Sequence, residues 1–160
     1  MLRKIITLLI LMPLSLAAQE LPDFSANYLV MLNGMQAGDL QQRLSTKIDG
    51  SREFNSATQA QGLFAFFKPD LVEETSTWSL VNNTIQPQHY LYQRSGGKKD
   101  KYLKLDFDWQ SQQLSIDDKN YPWQLALEPH TLDKLVYQLA LMMDLSKQYY
   151  GVPQPLIIYP

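Results

Sequence analysis

Four aspartates fall within KYLKLDFDWQSQQLSIDDKNYPWQL, residues 101–125. Asp106 and Asp108 stand two apart; Asp117 and Asp118 are adjacent. Carboxylates so spaced can hold a cation or divide the acid and base roles of a hydrolysis. Their neighbours argue against hydrolysis. Leu103, Leu105, Phe107 and Trp109 alternate with Tyr102, Lys104, Asp106 and Asp108, the period of a strand with one buried face. Asp106 and Asp108 then share the wet side of an antiparallel sheet with Lys104, where nothing encloses them. Asp117-Asp118-Lys119-Asn120 reads as a turn, without the glycine, terminal glutamate and length of a calcium loop. No catalytic residue is assigned, and a hydrolase using Asp106 and Asp108 ranks last among the readings.

Other chemistry is sparse. The chain has no cysteine, which removes thiol catalysis and thiolate zinc sites. His89 and His130 are distant in sequence and fit no metal spacing; no nucleophile elbow, P-loop or dinucleotide fingerprint occurs. No cofactor and no metal are expected, and an enzyme is not. The basic residues between Arg94 and Lys104 centre on Gly96-Gly97-Lys98-Lys99, a solvated hairpin tip. With a net charge of −2 over the whole chain, nothing calls for nucleic acid.

The elements that carry these residues are strands. Residues 1–18, MLRKIITLLILMPLSLAA, have the basic start, short apolar run and small-x-small end of a signal peptide cleaved after Ala17 or Ala18. The run is too short to span a bilayer, and no longer one follows. Export into a bacterial periplasm is the expected location. From there to residue 127 the period is two. Strands are expected at 24–32, 37–48, 52–61, 71–80, 85–94, 101–109, 112–116 and 121–127. Asn33-Gly34, Asp49-Gly50, Asn82-Asn83 and Gly96-Gly97 mark turns.

The period changes to 3.6 after Pro129. Thr131 is the expected cap, and Leu132, Leu135, Val136, Leu139, Met142 and Met143 make one apolar stripe. The fold class is mainly β (α+β): an antiparallel up-and-down curved sheet or partial barrel with one helix near the C-terminus. A single domain is expected over 19–147, followed by an irregular tail, 148–160, with Pro153, Pro155 and Pro160.

Two apolar groups are candidate binding surfaces. Trp78, Phe107, Trp109 and Trp123 could line a concave sheet face, although aromatics on a sheet usually form plain core. GLFAFF, residues 62–67, breaks the alternation. It is expected as a short buried strand, with an exposed loop that touches lipid or a partner through Phe64, Phe66 and Phe67 as the alternative.

The chain also resembles a family of exported bacterial proteins, DUF3108, a domain of unknown function. The likeness rests on Tyr28, Val30, Gly34 and Gly38, on Ile85, Pro87 and Tyr90, on Phe107-Asp108-Trp109, and on Leu132-Asp133-Lys134-Leu135. It covers about residues 24–147. It implies a periplasmic curved sheet with a helix and brings no catalytic residues. It also implies further strands after Lys147, so the tail is expected to be a truncation or frame-shift. The half-barrels of lipoprotein carriers share this general architecture, which does not fix a function. The resulting expectation is a non-enzymatic envelope protein that binds a lipid, lipoprotein or other amphiphile. The alternative is an assembly factor acting through protein contacts.

Overall fold

The computed structural model describes residues 21–67, 69–119, 121–148 and 157–158, with side chains as far as Leu145. The expected leader and most of the tail lie outside these residues. Eight strands form one antiparallel sheet in sequence order: β1 (Phe24–Leu32), β2 (Met35–Thr46), β3 (Arg52–Ala60), β4 (Leu71–Val81), β5 (Thr84–Ser95), β6 (Lys101–Asp108), β7 (Gln113–Asp118) and β8 (Tyr121–Ala126). The sheet is an up-and-down meander that does not close, so β1 and β8 are its edges. Two-residue tips explain much of the meander. Asn33 and Gly34 both take positive φ, as do Asn82 and Asn83; such turns match the twist of the strands they join.

Alternation puts Leu44, Phe54, Trp78, Ile85, Tyr90, Leu105, Phe107, Leu114 and Ile116 into the buried core. The opposite face carries Lys104, Asp106 and their neighbours. The second helix, α2 (Val136–Gln148), adds Val136, Leu139, Ala140 and Met143 to the same cluster. Each large apolar side chain buried there contributes about 1.5–3 kcal/mol.

Pro87 lies inside β5, a central strand, where a missing N–H would break the ladder. A bulge resolves the conflict: Trp78 pairs with Pro87 and Thr77 with His89, so Gln88 has no opposite residue. A second bulge in the β1–β2 pair leaves Ala37 unopposed. Its carbonyl accepts the Gln61 N–H at 2.9 Å.

Two expectations are corrected. GLFAFF is a helix, α1 (Gly62–Phe67), and none of its residues is buried. Gly62 leaves the strand with a φ of +58°, and the apolar run that follows has no alternation to hold a strand. Thr131 does not cap α2. It belongs to a short strand, β9 (Thr131–Leu132), and its hydroxyl donates to the Glu128 carbonyl at 2.7 Å. The cap is Asp133, whose Oδ1 accepts the N–H groups of Leu135 at 2.8 Å and Val136 at 2.9 Å. Of the tail, Gln148 ends α2 and Ile157–Ile158 is the other described part; this strand, β10, pairs in parallel with β9.

Candidate functional site

Topology sorts the loops before any side chain is considered. In an antiparallel meander, alternate connections lie at the same end of the sheet. The β1–β2 tip, α1, the β5–β6 loop and the β7–β8 turn therefore share one end. Asp49-Gly50, Asn82-Asn83 and the turn after β6 occupy the other.

The α1 end carries a group of exposed apolar side chains. Leu63, Phe66 and Phe67 follow i, i+3, i+4 spacing and so form one helical face. All three are exposed, Phe66 by 83% and Phe67 by 82%. The phenyl rings meet edge to face at 5.4 Å. Phe64 is half-buried on the other side. The Gln61–Ala37 hydrogen bond anchors the start of α1 to β2, whose hairpin adds exposed Met31, Leu32 and Met35. On its other flank, Phe67 and Lys98 line one open cleft of about 500 Å³ with Asp70, Arg94 and Gly96. Arg94 faces Asp70 at 3.7 Å. Gly96 is required where it stands: its φ is +83°, and a Cβ would sit 2.2 Å from the Pro69 carbonyl oxygen.

The opening carboxylates lie elsewhere. Asp106 is on the outer face in a cross-strand row with His89 and Ser115. Its Oδ1 meets His89 Nδ1 at 2.7 Å and its Oδ2 takes Lys104 Nζ at 2.7 Å. Partial burial raises its carboxyl, but the bonds from Lys104 and His89 outweigh this and hold it below the usual range. Asp108 accepts the N–H groups of Ser111 at 2.9 Å and Gln110 at 3.0 Å, which lower its carboxyl too. It closes the turn after β6. Both groups are carboxylates at neutral pH and neither is a poised proton donor. The Asp is the middle member of the row, whereas a serine nucleophile needs the imidazole there. Among the described residues no cluster of three His, Asp or Glu could hold a metal ion.

Of the four aromatics of the sheet, Trp78, Phe107 and Trp109 meet in the core cluster, and Trp123 stands at the edge. Trp78 and Phe107 are core. Trp109 stacks on Phe107 at 6.4 Å and donates its indole N–H to the Pro87 carbonyl at 2.6 Å, which secures the bulge. Trp123 is partly exposed on edge strand β8. Arg52 lies over the Trp78 ring at 5.4 Å, beside a cavity of about 140 Å³.

A buried polar knot fixes α2 to the sheet. Ser76 Oγ donates to Asp133 Oδ2 at 2.6 Å. Tyr90 donates its hydroxyl to Glu74 at 2.6 Å, and Lys134 reaches the same carboxylate at 3.1 Å while lying over the Tyr92 ring. Burial, then the Glu74 bond, pushes the Tyr90 phenol up, so it stays a donor. Burial raises Asp133 to about 6, against the Ser76, Val136 and Leu135 donors that pull it down.

Most residues behind the family likeness thus have structural work. Gly34 forms a tip, and Gly38 passes so close to β3 that a Cβ would lie 2.6 Å from the Gln59 carbonyl oxygen. Pro87 sits at a bulge, Trp109 braces it, and Asp133 caps α2. The outward α1 face lies outside those residues, and the spacing of Leu63, Phe66 and Phe67 would have revealed it had GLFAFF been read at period 3.6.

No helix among the described residues is long and apolar enough to cross a membrane, which says nothing of strands. No curated protein and no solved structure matches the chain. A family model described as a protein of unknown function, DUF3108, matches residues 27–150. That match runs from within β1 to beyond α2, well over half of the sequence, and the chain belongs to the DUF3108 family.

Proposed function

We propose that the protein is a non-enzymatic binding protein of the cell envelope, exported to the periplasm, whose partner is a lipid or another amphiphile. The observation that carries this is the outward apolar face of α1, with Phe66 and Phe67 more than four-fifths exposed. Such a face costs solubility and marks a contact surface. The reading as a non-enzyme draws support from Asp106 and Asp108, both committed as carboxylates by ordinary surface partners. The test is native mass spectrometry on protein taken from the periplasm, followed by denaturing extraction. A stoichiometric lipid-like mass is expected. A clean mass, together with no uptake of added lipid, would refute the proposal.

A second reading has its own observation. Among the described residues, nothing pairs with the outer edges of β1 and β8. Open edges can accept a strand from another chain, as an envelope assembly factor acting through protein contacts would require. Capture of a defined partner that depends on β1 or β8 would favour this reading.

A further inference from the structure

We infer that the α1 end of the sheet docks on an anionic lipid surface, with α1 and the β1–β2 tip entering the interface and the β5–β6 lysines lying on headgroups. This rests on the amphiphile reading above and names the form of its partner.

Three observations converge. Only one end of the sheet carries the exposed Leu63, Phe66 and Phe67 face, and Leu32 and Met35 stand on the hairpin to which α1 is tied. Lysines accompany them. Lys98 and Lys99 are exposed on the β5–β6 loop, Lys101 is exposed at the start of β6, and Lys98 shares the cleft that Phe67 lines. Asp100 is the acidic residue within that loop, while Asp70 faces Arg94. Farther along the same end, Asp39 accepts from Gln36, and Lys119 follows Asp118. The loop beside α1 is therefore locally basic on a chain whose net charge is −2.

Composition then separates lipid from protein as the occupant. Lysine is depleted in protein interfaces. Exposed phenylalanine and leucine with lysines beside them suit a bilayer interface, where rings enter the acyl boundary and ammonium groups meet phosphates. At the opposite end the apolar side chains Ile48 and Val81 stand singly at different turns, and Lys47, beside Ile48, is paired with Glu53 at 2.6 Å.

The experiment is vesicle flotation with the processed protein, its N-terminus first read by mass spectrometry so that no leader contributes. Vesicles of phosphatidylcholine alone are compared with vesicles containing phosphatidylglycerol, at low and high salt. Binding is expected to the anionic vesicles and to weaken with salt. Phe66→Ser with Phe67→Ser should abolish it. Lys98→Gln, Lys99→Gln and Lys101→Gln together should lower partitioning at least about tenfold. Ile48→Ser, at the far end, should change nothing. These side chains are exposed, so thermal melts should be unaltered.

Equal binding to neutral vesicles, unmoved by the lysine changes, would overturn the anionic surface and leave the amphiphile reading standing. No vesicle binding alongside a lipid found by mass spectrometry would overturn surface docking in favour of a carried ligand. No binding, no lipid and a homodimer lost in the phenylalanine variant would overturn both and assign the face to a protein contact.

Discussion

Asp133 has three donors around it and is still raised to about 6, because burial outweighs them. A carboxyl raised above its unfolded value favours the fold in its protonated form. Its contribution is complete below about pH 4 and lost as pH rises through about 6. Asp133→Asn keeps an acceptor for the α2 N–H groups and removes the titration. From pH 4 to 7 the wild type should lose about 2 kcal/mol relative to this variant, as read from denaturant melts at each pH. A constant difference would show that the carboxyl does not titrate as stated. Asp133→Ala removes the cap and orphans Ser76, and should destabilise by about 2 kcal/mol at about pH 4, a deficit that shrinks as pH rises through about 6. Trp109→Phe keeps the stacking on Phe107 but loses the bond to the Pro87 carbonyl. It should cost about 1 kcal/mol, visible as a lower denaturant midpoint with an unchanged slope.

At the scale of elements, β2 and α1 respond oppositely to substitution. Gly38→Ala places a methyl against the Gln59 carbonyl, which is backbone and cannot swing away. The two strands must part, at about 2 kcal/mol. Phe66→Ser with Phe67→Ser removes far more apolar surface yet should leave stability within about 0.5 kcal/mol, because neither ring is buried. The same contrast explains what could be read in advance. All eight strands and their order were visible, because alternation and paired turn residues such as Asn33-Gly34 are local signals. The buried outcome for Phe107 and Leu105 followed from the same period. α1 was missed because six residues are too few to establish a period, and an apolar run reads equally as a buried strand. The cap moved from Thr131 to Asp133 because β9 claims Thr131, a tertiary pairing with no local mark. The aromatics were legible as an inner set, yet their division between core, brace and edge depends on where α2 lies.

For the molecule as a whole, the open meander sets a gradient of protection. β4 and β5 have partners on both sides, whereas β1 and β8 have one each. Backbone amides of β4 and β5 should exchange only through global unfolding, while those along the outer edges of β1 and β8 exchange by local fraying. Hydrogen-exchange mass spectrometry reads this directly. Protection of an edge that grows with protein concentration would show edge pairing between copies. Pro122 in β8 removes one N–H from such pairing and puts a proline on an edge, where it discourages the contact.

The in-order pairing of the strands also bears on how the chain reaches this state. Each hairpin can close without waiting for distant sequence, so the sheet can grow by local steps. The knot cannot: Ser76 and Asp133 are 57 residues apart, and Gln42 meets Gln138 across 96. Closing those long loops costs entropy before the contacts form. Docking of α2 is therefore the late event that converts a loose ribbon of hairpins into a cooperative unit. Weakening the Ser76–Asp133 bond should speed unfolding far more than it slows folding, a partition that paired stopped-flow measurements on Ser76→Ala would show.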